Sequence, residues 1–120
     1  MKTSNFRFGL RQLQVLFALL VMSGFVVSSA QAADEVYKLV IKDHRFQPTE
    51  LVVPAGKKVK LSVENQDSTP EEFESHDLNR EKLIAARATV QIFVGPLAPG
   101  RYKFYGEFNE KTAQGVIVVQ

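Results

Sequence analysis

Strict alternation over residues 57–64 is the feature that most constrains this chain. Val59, Leu61 and Val63 alternate there with Lys58, Lys60, Ser62 and Glu64. A period of two sends one set of side chains to a core and the other to water, which is the signature of a half-buried strand. Other short runs agree with it. VYKLVIK at 36–42 is rich in β-branched and aromatic residues, and the run at 50–53 is ended by Pro54-Ala55-Gly56, a turn signal. Residues 88–94 place Val90, Ile92 and Val94 on one face, and 101–105 place Tyr102 and Phe104 inward. The apolar run 116–119 reads as a central strand covered on both faces, and Pro96, Pro99 and Gly100 mark tight connections. Residues 78–88 fit either a short helix or a poor strand. About seven short strands with turns every eight to twelve residues predict an all-β, Greek-key β-sandwich.

The first 32 residues do not share this pattern. Lys2, Arg7 and Arg11 precede an apolar stretch at 13–27, and Ala30-Gln31-Ala32 follows as a small-x-small cleavage pattern. This is the expected layout of a secretory signal peptide over 1–32, leaving one domain at 33–120. The apolar stretch is short for a span, which needs about 20 residues, so no retained membrane span is expected. The expected location is the periplasm.

Cleavage would change the charge. The whole chain has 15 Lys and Arg against 13 Asp and Glu, a net charge of +2. Three bases and no acid lie in the leader, so the remainder carries about −1. No basic surface of the kind that binds phosphate backbones is implied, and no nucleic-acid partner is expected. Both Met residues also lie in the leader and the chain has no Cys. The exported domain therefore has no disulfide and no sulfur ligand. Nothing places a Ser, His and Asp around an oxyanion hole, and there is no phosphate-cradling glycine loop, so no catalytic residue is assigned.

Four stretches in order resemble the cupredoxin family: FQP at 46–48 with LVVPAG at 51–56, VEN at 63–65 with Asp67, PGRYKF at 99–104, and GVIVV at 115–119. The resemblance covers nearly the whole 33–120 region and implies a small sandwich with a metal site at one end, made in blue-copper members by two His, one Cys and usually a Met. At those positions this chain has Gly106 for the Cys, Asn109 for the loop His, Ala113 for the Met and, at or near it, Glu71 for the first His. A chain without Cys cannot form a copper–thiolate bond, so a blue-copper centre is excluded.

The segment PEEFESHDL at 70–78 and GEFN at 106–109 are similar to a Cys-less periplasmic cupredoxin-like group that accompanies bacterial ferrous-iron permeases. A more distant likeness is to the cupredoxin domain of periplasmic iron-uptake lipoproteins. That resemblance implies an accessory protein, not an enzyme, binding a copper or iron ion and assisting ferrous-iron uptake, with a role in Fe(II) oxidation left open. Its implied partners are an inner-membrane iron permease and a periplasmic iron- or copper-binding protein.

The residues offer their own candidates. Glu72, Glu74 and His76 are spaced two apart, so on a strand they share one face, with Phe73 pointing the other way into the core. Glu107 lies on the loop that carries three ligands in the family. His44 precedes a short strand that can reach the same end. The expected metal ligands are therefore His76, His44, Glu74, Glu107 and Glu72, a carboxylate and imidazole set that suits iron, Cu(II), Mn or Zn without selecting among them. The competing expectation is a sandwich that has lost its ligands and docks a periplasmic partner through the same loops.

Overall fold

The computed structural model describes residues 35–120; the expected signal peptide lies outside the described residues. Nine strands form: β1 Val36–Lys42, β2 Arg45–Gln47, β3 Glu50–Val53, β4 Val59–Asn65, β5 Glu71–Ser75, β6 Arg80–Ile84, β7 Thr89–Val94, β8 Gly100–Gly106 and β9 Gln114–Val119. The four-stranded sheet has the order β2-β1-β4-β7 and the five-stranded sheet the order β3-β9-β8-β5-β6. One 3-10 turn, Glu107–Asn109, follows β8. The expected all-β sandwich is observed, with nine strands in place of about seven. The additions are short: β2 is three residues, and 78–88, open between helix and strand in the sequence, holds β6.

The long strands bury the face their alternation marks. Val59, Leu61 and Val63 of β4 are fully buried, as are Leu39 and Ile41 of β1 and Ile92 and Val94 of β7. From the opposite sheet come Phe73, Phe104, Ile117 and Val119. Phe46, Phe73 and Phe104 meet at the centre. Phe46 stands edge-on to Phe104 at 4.9 Å and to Phe73 at 6.2 Å, and Phe73 stacks on Phe104 at 5.1 Å. The other two aromatic Phe of the domain do not join them: Phe93 and Phe108 are about half exposed. Phe93 lies instead beneath the ammonium groups of Lys58 and Lys60, 4.8 and 5.8 Å from its centroid.

Strand β9 is central, parallel to β3 and antiparallel to β8, but only one of its faces is fully covered. Ile117 and Val119 are buried, whereas Val116 borders an open groove of about 920 Å³ on the outer face, with Glu50, Arg101, Lys103, Tyr105 and Gln114 around it. Gly115 permits this packing, because a Cβ there would stand 2.3 Å from the Phe104 ring.

Candidate metal centre

The hairpin of β5 and β6 sets the candidate site. Its register pairs Glu72 with Leu83 and Glu74 with Glu81, and Glu74 also faces Tyr105 of β8. These side chains share the outer face of the five-stranded sheet. Glu107, at the start of the 3-10 turn, joins them. Carboxylate oxygens of Glu72, Glu74, Glu81 and Glu107 lie within 4.8 Å of one another. Two oxygens bonded to one ion at about 2 Å stand at most about 4 Å apart, so a small inward turn of these side chains would bring them to a shared ion.

The electrostatics match the crowding. The Glu72 carboxyl is pushed up to about 7, first by the hydrogen bond with Glu81, then by burial, then by the charges of Glu107 and Glu81. Two ionised carboxylates both only accept, so the contact with Glu81 is a hydrogen bond only when a proton is shared. Without one, Glu72 Oε1 is a buried oxygen with no partner. A shared proton or a bound cation would each relieve this crowding.

His76 stands beside this group. Its Nδ1 is 3.8 Å from Glu74 Oε1, and its Nε2 is 3.0 Å from the Tyr105 hydroxyl. Burial and the carboxylates of Glu74, Glu110, Glu107 and Glu72 hold the Tyr105 phenol above its ordinary value. His44 is elsewhere. Asp43 and His44 form the turn between β1 and β2, both with positive φ, at 51° and 57°. Asp67 accepts from both of their backbone N–H groups, at 2.8 and 3.0 Å, and sits 3.6 Å from the His44 ring. His44 is thus held to Asp67 and is not among the side chains that converge on the cluster.

Of the five sequence candidates, the structure brings Glu72, Glu74 and Glu107 together, puts His76 at their margin and places His44 in a separate turn. Glu81 is the member the sequence reading missed. Once β6 is drawn, a hairpin from Glu74 through Asn79 to Arg80 puts Glu81 opposite Glu74, so the register is the signal that finds it.

The residues that the resemblance sets at the family's copper ligands lie apart from this cluster. Glu71, Gly106, Asn109 and Ala113 do come together, as the resemblance implies. Glu71 and Ala113 are buried, Asn109 Nδ2 donates to Glu71 Oε2 at 2.7 Å, and a Cβ on Gly106 would lie 2.6 Å from Glu71 Cδ and 2.8 Å from Ala113 Cβ. A copper ion does not fit this set. It offers no thiolate, imidazole or thioether, and its single carboxylate is already engaged by N–H donors.

A two-sheet Greek-key sandwich with this strand order is of the cupredoxin type. The Cupredoxin-like domain family matches residues 15–119, and the chain belongs to it. The chain is 48% identical over 82 residues to an uncharacterized protein of Rickettsia prowazekii (strain Madrid E), a match covering 68% of this chain and 66% of that relative's length. Among solved structures it is similar to auracyanin A, a "blue" copper protein from Chloroflexus aurantiacus, with a TM-score of 0.63 and 17% identity over 73% of this chain and all of that one. A purple cupredoxin from Nitrosopumilus maritimus gives a TM-score of 0.54 and 20% identity over 69% of this chain and 98% of its own. At these identities the structural likeness shows the fold alone.

Proposed function

We propose that this protein binds a metal cation on the outer face of its five-stranded sheet and serves as a periplasmic accessory in iron handling. The convergence of Glu72, Glu74, Glu81 and Glu107 carries the reading. Four oxygen donors with a formal charge of up to −4 favour hard or borderline cations of charge two or three, which suits Fe(II), Fe(III) or Mn(II) better than Cu(I). Cu(II) is accommodated if His76, next to Glu74, turns a ring nitrogen inward. In this reading the ion is cargo or a redox partner delivered toward an iron permease, and the protein is not itself an enzyme.

Calorimetric titration of the protein with Fe(II) under anaerobic conditions, Mn(II) and Cu(II) tests it. Removing two carboxylates with Glu74→Gln and Glu107→Gln is expected to weaken binding by at least tenfold, and binding near pH 6 is expected to release a proton. Equally poor binding by wild type and the double variant sinks the reading.

A second reading rests on a separate observation. Leu83 and Phe108 are 59% and 50% exposed, and Leu83 pairs with Glu72 while Phe108 follows Glu107. An acidic patch edged by two apolar side chains also suits a module that docks a periplasmic partner. Thermal melting separates the two: a cation at 100 times its Kd adds about 2.7 kcal/mol to the native state, whereas a docking module gains nothing.

A further inference from the structure

We infer that Glu71 is a carboxylate lock standing where the fold family would hold copper, and that it positions Glu107 for the outer-face cluster. The role given to Glu107 rests on the metal reading above; the lock itself does not. In a copper-binding cupredoxin the ion joins one strand to the loop that follows another. Here the same two elements, β5 and the loop 106–113, are joined by one side chain. Glu71 Oε1 accepts from the backbone N–H of Phe108 at 2.9 Å and of Glu72 at 2.9 Å, and Oε2 accepts from Asn109 Nδ2 at 2.7 Å. The residue is 1% exposed, so these charge-assisted bonds replace the water its carboxylate has lost.

The surrounding residues are fitted to a carboxylate rather than to an ion. Gly106 has an ordinary extended conformation, φ −92° and ψ 113°, so its backbone does not demand glycine. Proximity does: a Cβ would enter the space of Glu71 Cδ. The loop then closes on itself, with Gly106 N–H donating to Ala113 O at 2.8 Å and Ala113 N–H to Asn109 O at 2.8 Å.

Glu107 lies between the two points the lock holds. Gly106 before it packs on the Glu71 carboxyl, and the Phe108 N–H after it is bonded to that carboxyl. Its own exposed side chain is thereby aimed at Glu72, which follows Glu71 on β5. One buried carboxylate thus sets the backbone of two members of the cluster.

Hydrogen exchange on the full chain tests the lock. The Phe108 amide is expected to be protected in wild type although its side chain is half exposed, and to exchange at least tenfold faster in Glu71→Gln, whose neutral amide oxygen is a weaker acceptor than the charged carboxylate. Free exchange of Phe108 in wild type overturns the lock, even if the variant fails to fold. So does an unchanged rate in a folded Glu71→Gln.

The positioning role is tested by Mn(II) titration of Glu71→Gln, Glu107→Gln and the double variant. Glu71→Gln is expected to weaken Mn(II) about tenfold in the wild-type background and not at all once Glu107 is Gln. An equal loss in both backgrounds overturns the positioning role. Absence of Mn(II) binding by wild type sinks the cluster reading and the positioning role together, and the amide measurement still decides the lock.

Discussion

Glu71 and Glu72 are neighbours in the chain with the same side chain, and the fold treats them in opposite ways. Strand parity sends Glu71 inward and Glu72 outward. Glu71 is the more buried, yet each of its oxygens meets an N–H donor. Glu72 is the more exposed, yet one oxygen is enclosed without a partner and the carboxyl is pushed up to about 7 by other carboxylates. What governs a carboxylate is therefore not depth but the polarity of what surrounds it: N–H dipoles replace water for the first, and negative oxygens displace it for the second. The pair also separates two places on the fold. Glu71 stands where the resemblance places the first copper ligand, while Glu72 belongs to a cluster on a different face.

The largest effect should come from crowding the closed pocket. Gly106→Ala puts a methyl group 2.6 Å from Glu71 Cδ and 2.8 Å from the Ala113 Cβ. Neither neighbour can retreat, since one is tied by three hydrogen bonds and the other is a buried residue of the core cluster. A loss of about 3 kcal/mol in urea unfolding is expected. A fully stable Gly106→Ala would mean that Glu71 can swing aside, and the contrast between the two regions would collapse.

Much of this arrangement is legible in the sequence, and the illegible parts have physical reasons. Alternation at 57–64 gives the face of β4, and parity about Phe73 gives the common face of Glu72 and Glu74. The resemblance brings Glu71, Gly106, Asn109 and Ala113 to one spot. The residues 78–88 hide Glu81 because Arg80, Glu81, Lys82 and Leu83 are all exposed: an edge strand with both faces wet has no apolar alternation to read. His44 misleads because its nearness to a strand is visible while the left-handed turn that carries it to Asp67 is not. Phe93 and Phe108 are apolar by type but lie outside the core: Phe93 takes the outward parity of β7, opposite to Ile92 and Val94, and Phe108 sits in the 3-10 turn.

A smaller effect is expected at Asp67, a carboxylate solvated by N–H groups like Glu71 but near the surface. Hydrogen bonds from the His44 and Asp43 backbones hold it below its ordinary value, the first being the largest cause. A carboxyl lowered on folding contributes stability at pH values above its unfolded pKa of about 3.8, and that contribution is lost as pH falls through the lower folded value. Asp67→Ala should cost about 1.5 kcal/mol at pH 7 by urea unfolding and less at pH 2.5. An equal cost at both pH values would assign the loss to packing and not to the charge.

The most discriminating effect belongs to Glu72, where the sign reverses. Its folded pKa is about 7 against an ordinary value of 4.5, so the native state holds the proton more tightly than the unfolded chain. The stability this gives is complete below about pH 4.5 and is lost as pH rises toward 7. Glu72→Gln keeps a neutral side chain at every pH, so it should match wild type near pH 4.5 and melt higher than wild type at pH 8 in the presence of a chelator. Adding Mn(II) at pH 8 should reverse the order, because the cation neutralises wild type and finds one donor fewer in the variant. If Glu72→Gln lowers the melting temperature equally at both pH values with chelator present, the four carboxylates do not repel one another in solution, and the outer face is an ordinary solvated surface.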